Sequence, residues 1–167
     1  MTIRTRLVSR HLCQAADRSG FDRLLRQFDA APPASHDLGA LRTTLGGLGF
    51  DAATSDRLIV EAVAEALRRS GHAERPERAS AMFLTPSPQE ARRYAAAAGD
   101  RPVLHCCLAE PDDGALLDWS LLAAPLEPGG VPALVERVGR YWRGEPGPAL
   151  LWEFVTHGQV MVLQQEP

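Results

Sequence analysis

The sequence has few cysteines, few aromatic residues and no long apolar run. Three cysteines occur in 167 residues, and their odd number without Cys-x-x-Cys spacing argues against a disulfide framework and a zinc site. No apolar run approaches the ~20 residues that span a bilayer. The early arginines are not followed by the apolar segment of a signal peptide. We therefore expect a cytoplasmic protein with no membrane contact.

Strong charge and the common nucleotide-binding motifs are also missing. The net charge is only −3, which gives no electrostatic reason to expect a nucleic-acid partner. There is no Gly-x-Gly-x-x-Gly or Walker loop, and no Gly-x-Ser-x-Gly elbow. His36, His72 and His105 show no metal-ligand spacing with a cysteine or carboxylate, and no metal is expected.

The apolar periodicity and capping residues of the sequence predict one α+β domain over residues 1–167. Apolar periodicity and capping residues predict helices at 54–70, 87–98 and 131–142, with weaker helices at 20–31 and 37–50. Thr54 or Ser55 is expected to cap the first of these, with Gly71 after its end, and Ser87 with Glu90 forms a capping box for the second. Alternating segments predict strands at 3–8, 79–85, 102–108, 118–125, 150–155 and 159–164, the last two paired as a hairpin. Strands and helices in this order are typical of an α+β fold.

Glu153 is the most informative single residue, because it stands in the apolar strand "LLWEFV". Side chains of a strand alternate between two faces, and both faces here are apolar apart from this carboxylate. Burying a carboxylate is costly unless it is paired or neutralised. Glu153 is therefore either a structural partner of an arginine or a functional carboxylate.

The other candidates each have a structural and a functional interpretation. His11 and His157 are either surface residues or catalytic groups. Arg75 and Arg78 are either solvated or bind an anion. Cys106 and Cys107 are better explained as buried thiols. A Tyr-Trp pair at 141–142 is either core packing or an aromatic ligand platform.

Three stretches in order resemble a known family: "ERPERASAMFLTPSPQEARRYA" (74–95), "VLHCCLAEPDDGALLDWSLL" (103–122) and "ALVERVGRYWRGEPGPALLWEFVTHGQVMVL" (133–163). The order and spacing are similar to those of small bacterial proteins with the ADP-ribosyltransferase fold. The resemblance covers about 90 of the 167 residues, and the first 70 match only loosely. It implies two packed, mainly antiparallel sheets around a cleft, with flanking helices.

The resemblance also implies a reaction, with NAD as the substrate. Glu153 would stabilise the oxocarbenium-like transition state as the nicotinamide–ribose bond breaks, and Arg10 or His11 would complete the catalytic site. Ser80, Phe83, Tyr94 and Arg78 would bind NAD. The acceptor would be an unknown molecule or water, as in a transferase or an NAD glycohydrolase.

The chain departs from the family pattern at one informative position. Residue 151 is Leu where transferases that modify arginine carry an acidic or amide residue, which disfavours arginine as the acceptor. A middle-strand Tyr is also absent. The alternative function is that of a catalytically silent relative that binds a nucleotide or a protein.

Overall fold

A computed structural model describes residues 2–5, 15–97, 104–110, 112, 114–127 and 129–166. Within these ranges the protein is a mixture of helices and antiparallel strands. The helices are α1 (Ala15–Ala30), α2 (Leu38–Gly46), α3 (Ala52–Gly71), α4 (Pro88–Ala97), α5 (Ser120–Ala123) and α6 (Gly130–Trp142). The strands are β1 (Thr2–Thr5), β2 (Met82–Leu84), β3 (Leu104–Ala109), β4 (Gly114–Asp118), β5 (Trp152–Thr156) and β6 (Val160–Glu166).

The predicted helices at 54–70, 87–98 and 131–142 are confirmed as α3, α4 and α6. Ser87 caps α4 as expected, since its hydroxyl accepts the Glu90 N–H at 3.2 Å and contacts the Glu90 carboxylate at 2.8 Å. The predicted cap of α3 is wrong. Asp51 caps that helix by accepting the Thr54 N–H at 2.7 Å, and Gly71 lies inside the last turn. Asp51, Thr54 and Ser55 all have side chains suited to capping, and the helix begins after the first of them.

The predicted hairpin of the last two strands is wrong. β5 pairs with β2 and β4 in an antiparallel sheet of order β2-β5-β4, whereas β6 pairs with β3, which also pairs with β1. Because β2 and β4 take up both edges of β5, no hydrogen-bonding edge is left for β6. The short segment 157–159 therefore carries the chain to a different sheet rather than closing a hairpin. The arrangement of two packed sheets around a cleft stays a prediction.

The predicted strand at 118–125 is also wrong. The strand is β4, which begins at Gly114 and ends at Asp118, and a helical turn, α5, follows it. A Cβ at residue 114 would lie 2.5 Å from the Phe154 ring and 2.6 Å from the Val155 carbonyl oxygen. Only glycine permits this close approach, and Gly114 is the first residue of the strand.

The sheet β2-β5-β4 packs one face against the helices. Phe83, Ala115, Leu117 and Val155 lie on that face and belong to the main core with residues of α1, α2, α3 and α6. Phe154 points the other way and packs with Leu84 and with Ala109 of β3. Since side chains alternate along a strand, Glu153 faces the helical layer together with Val155.

The end of α3 carries a buried carboxylate. Glu65 is 3% exposed and accepts hydrogen bonds from the Arg68 and Arg69 side chains at 2.7–2.9 Å. Arg68 also donates to the carbonyl oxygens of Ala73 and Arg75, which fastens the following loop to the helix. Burial by itself would raise the pKa of Glu65, but the two arginines outweigh burial and lower that pKa below its usual value.

We expect Glu65→Gln to lower the free energy of unfolding by about 1–2 kcal/mol at pH 7. A lowered pKa in the folded state means that this stabilisation is present above pH ~4.5 and lost as the pH falls through the folded-state pKa. The difference between wild type and variant should therefore shrink towards pH 3 in urea denaturation. Glu74→Gln, at an exposed position, is the matched control. A difference that is independent of pH would contradict this role.

Candidate functional site

Glu153 lies at the centre of a buried network of four side chains. Arg78 from the loop before β2 and Tyr141 from α6 donate hydrogen bonds to it, and Glu61 from α3 joins the network through Arg78. All are buried, and Glu153 itself is only 1% exposed. We call these four residues the Arg78 network. It joins the central strand of the sheet to two helices and a loop.

Arg78 uses all three guanidinium nitrogens in this network. Its Nε and Nη2 donate to the two carboxylate oxygens of Glu61 at 3.0 and 3.1 Å. Its Nη1 donates to Glu153 Oε1 at 2.5 Å and also to the Tyr141 hydroxyl. The Tyr141 hydroxyl in turn donates to Glu153 Oε1 at 2.8 Å. The bidentate pairing explains why this position needs arginine rather than lysine.

Two aromatic rings accompany the guanidinium group. Its carbon atom lies 4.7 Å from the centre of the Phe83 ring and 5.2 Å from that of Tyr141. A cation over an aromatic face is attracted by the ring, and the attraction grows when water is excluded. The turn that follows, with the Ala81 N–H bonded to the Arg78 carbonyl oxygen, leads directly into β2 and so places Phe83 beside Arg78.

Burial and the neighbouring charges determine whether Arg78 and Tyr141 carry a proton. Burial opposes the charge of Arg78, but Glu153 and Glu61 outweigh burial and raise its pKa well above the usual value, so it stays protonated. Burial raises the pKa of Tyr141 well above its usual value, so this hydroxyl keeps its proton. Glu153 Oε2 is buried without a hydrogen-bond partner among the described residues.

The structure brings together three of the residues that were predicted for the NAD site. Glu153, Arg78 and Phe83 share the Arg78 network or contact it. Arg10 and His11 lie outside the described residues. Tyr94 belongs to α4, and its side chain also lies outside what the structure describes.

Ser80 lies apart from Glu153, in an exposed cluster with His157. Its hydroxyl donates to the Glu77 carboxylate at 2.9 Å and lies 3.2 Å from His157 Nε2. The same nitrogen is 2.9 Å from the Glu77 carbonyl oxygen, which can only accept a hydrogen bond. Nε2 therefore carries a proton and cannot act as a base towards Ser80. This cluster is not an activated serine.

Sequence reasoning missed Glu61 and Asp118. Glu61 stands within the apolar stretch "LIVEAVAEAL", and a carboxylate in an apolar helical segment was the available signal. Asp118 is fully buried and accepts the N–H groups of Ser120 at 2.9 Å, Leu151 at 3.0 Å and Gly147 at 2.7 Å. It fastens the loop that leads into β5, and so fixes the position of Glu153 two residues after Leu151.

Comparisons with known proteins add no family. No protein-family model matches the chain, and no match is found among curated proteins. Among the described residues, no helix is both long and apolar enough to cross a membrane. The same residues contain no group of three or more His, Cys, Asp or Glu side chains arranged to hold a metal ion.

Proposed function

We propose that this chain has an ADP-ribosyltransferase-like fold and works as a cytoplasmic binding module that does not cleave NAD. The observation that carries the proposal is the burial of the Glu153 carboxylate beneath Arg78 and Tyr141. A carboxylate that is 1% exposed leaves almost no surface for a substrate to contact. The resemblance in sequence and the Glu on a late strand support the fold.

The electrostatics of the site favour a structural role for Glu153. Cleavage of NAD builds positive charge on the ribose, and a catalytic carboxylate must present negative charge to it. Here the nearest charge to Glu153 is the Arg78 guanidinium at 2.5 Å. That cation would repel an oxocarbenium-like ribose, and its hydrogen bond already occupies Glu153 Oε1. The arrangement is therefore suited to holding the fold.

One observation favours the second candidate, an NAD-dependent transferase or glycohydrolase. Glu153 Oε2 lacks a hydrogen-bond partner among the described residues, and a ribose hydroxyl would be a suitable donor. This candidate requires the loop that carries Arg78 to move away from Glu153. It also needs Arg10 or His11 to complete the site, with an acceptor that is a second substrate or water.

Nicotinamide release from NAD distinguishes the two candidates. We expect wild-type protein to release no nicotinamide above a protein-free control. Glu153→Ala should lower the free energy of unfolding by about 1–3 kcal/mol, because Arg78 and Tyr141 lose a buried acceptor. Glu153→Gln, which keeps one oxygen, should be closer to wild type.

The enzyme candidate gives the opposite pattern on the same samples. Wild type would release nicotinamide, and Glu153→Ala would lower the rate by about 10²–10³-fold while remaining folded. NAD binding should then change much less than turnover, because the interaction strengthens only as charge develops. That result would overturn the proposal of a binding module.

A further inference from the structure

A cavity of about 400 Å³ lies between α6, the short helix α5 and the loop that precedes β5. Two arginines of α6, Arg137 and Arg140, line it from positions about one helical turn apart. The remaining walls are mostly apolar and include Leu121, Ala124, Pro146 and Pro148. The volume is within the range of small-molecule sites, towards its lower end.

The guanidinium groups of both arginines reach the walls of this cavity. Arg137 Nη1 donates to the Pro125 carbonyl oxygen at 2.9 Å, next to the lining residue Ala124. Arg140 Nη2 donates at 2.9 Å to the carbonyl oxygen of Pro146, which is itself a lining residue. The two positive charges are therefore held where the walls of the cavity meet the helix.

The two arginines differ in their counter-ions. Arg140 Nε pairs with the Glu145 carboxylate at 3.0 Å. Arg137 forms no ion pair with any residue that the structure describes, and its Nε and Nη2 are buried there without a hydrogen-bond partner. Burial lowers the pKa of Arg137 below its usual value, and no neighbouring carboxylate raises it again. Arg137 is therefore a partly buried cation that lacks an anion, which is a costly arrangement.

We infer that this cavity binds a small organic carboxylate with an apolar body. The ligand carboxylate would accept hydrogen bonds from Arg137, and the apolar walls would remove the body of the ligand from water. Because Nε and Nη2 are enclosed by protein, the guanidinium group has to turn towards the cavity when the ligand binds. This turn exchanges a hydrogen bond to a neutral carbonyl oxygen for stronger ones to an anion. The inference names the ligand class of the proposed binding module and rests on that proposal.

Other ligand classes fit this cavity less well. A cation would be repelled by both arginines, and a neutral apolar molecule would leave Arg137 without an anion. The nearby carboxylates already have partners: Glu145 pairs with Arg140 and Arg143, and Asp118 accepts three backbone N–H groups. The apolar walls favour an organic carboxylate over an inorganic anion, which has no apolar body to bury.

Calorimetric titration with sodium benzoate at pH 7 tests the inference, with benzamide and benzamidinium chloride as planar probes of similar shape. Benzoate is negatively charged at this pH, benzamide is neutral and benzamidinium is positively charged. Benzoate should bind wild type at least about tenfold more tightly than benzamide, and benzamidinium should bind more weakly than either. The affinity for benzoate should fall as the salt concentration rises, because the attraction is partly electrostatic.

Arg137→Met removes the charge and keeps most of the apolar stem, and Arg143→Met is its matched control. Arg143 follows the end of the same helix, is about half exposed and does not line the cavity. Arg137→Met should weaken benzoate binding at least about tenfold, whereas Arg143→Met should change it by less than about threefold. Arg137→Met should also melt no lower than wild type, because it removes a cation that has no anion. Arg137→Lys, which keeps the charge, should bind benzoate more tightly than Arg137→Met.

Three results would each overturn the inference. The first is benzoate binding that is no tighter than benzamide binding on wild type, which requires no variant. The second is benzoate binding that Arg137→Met leaves unchanged. The third is an absence of benzoate binding to wild type at millimolar concentration.

Failure of this inference is distinguishable from failure of the proposed function. Nicotinamide release is measured without benzoate, and it reports on the surroundings of Glu153 rather than on Arg137. A protein that releases nicotinamide would overturn the proposed binding module, whether or not it binds benzoate. A protein that releases none and does not bind benzoate would overturn only the ligand class.

Discussion

Replacing Arg78 by Met should lower the free energy of unfolding by about 3–5 kcal/mol. The substitution keeps most of the apolar stem and removes the guanidinium that faces Glu61 and Glu153. Two buried carboxylates would then lose the guanidinium that faces them, and the Tyr141 hydroxyl would lose one of its partners. Removing one member of a buried ion pair lowers the stability by more than the whole pair contributes, because the remaining charge stays buried without its partner.

Urea denaturation followed by circular dichroism measures this loss, and Arg18→Met is the control. Arg18 is about half exposed and pairs with Asp22 across one helical turn, so its loss should change stability by less than about 0.5 kcal/mol. The combined replacement Glu61→Met, Arg78→Met and Glu153→Leu should recover most of the stability, because an apolar core needs no ion pairing. A loss below about 1 kcal/mol for Arg78→Met would show that the Arg78 network does not hold the fold.

Replacing Asp118 by Ala should also lower the free energy of unfolding by about 3–5 kcal/mol, because three backbone N–H groups, one buried and two partly buried, lose a carboxylate acceptor. One of them belongs to Leu151, next to Leu150, whose φ of 49° is uncommon for a residue with a side chain. Such a conformation persists only where neighbouring contacts hold it in place. Loss of the Asp118 carboxylate would remove contacts that hold Leu150 in this conformation and that hold the start of β5 in place.

Asp118→Asn separates hydrogen bonding from packing at the same position. The amide keeps one oxygen, which can still accept from Ser120 and Leu151, but its NH₂ group would face the N–H of Gly147. We expect a loss of about 1–3 kcal/mol, smaller than for Ala. Asp22→Ala, at a partly exposed position, is the control and should have little effect. If Asn and Ala destabilise equally, the hydrogen bonds to Ser120 and Leu151 are not the source of the stability.

The local elements could be predicted well because their signals lie within a few residues of each other. The cap of α4 depends on Ser87 and Glu90, three positions apart, and it forms as the sequence predicts. The apolar stripe of α6 likewise repeats within one or two helical turns. The predicted cap of α3 was wrong because several residues suited to capping lie close together there. The predicted strand at 118–125 was wrong because the chain is already extended at Gly114, where a close contact with β5 requires glycine.

Strand pairing could not be predicted in the same way, because it depends on distant segments. The short connection after β5 was consistent with a hairpin, yet β5 accepts β2 on one edge and β4 on the other. The partner of β2 lies about 70 residues away along the chain. No pattern within residues 150–163 reports whether both edges of that strand are already paired.

The sequence by itself determined that Glu153 is a carboxylate in an apolar strand, and therefore that it needs an unusual environment. That conclusion follows from the period of two along a strand and the cost of burying charge. Only the tertiary structure decided what the environment is. Arg78 is 75 residues away and Tyr141 is 12 residues away, and the packing of α3, α6 and β5 brings them to one carboxylate oxygen. Composition and periodicity determine which buried polar groups need a partner, whereas long-range packing determines which residues supply that partner.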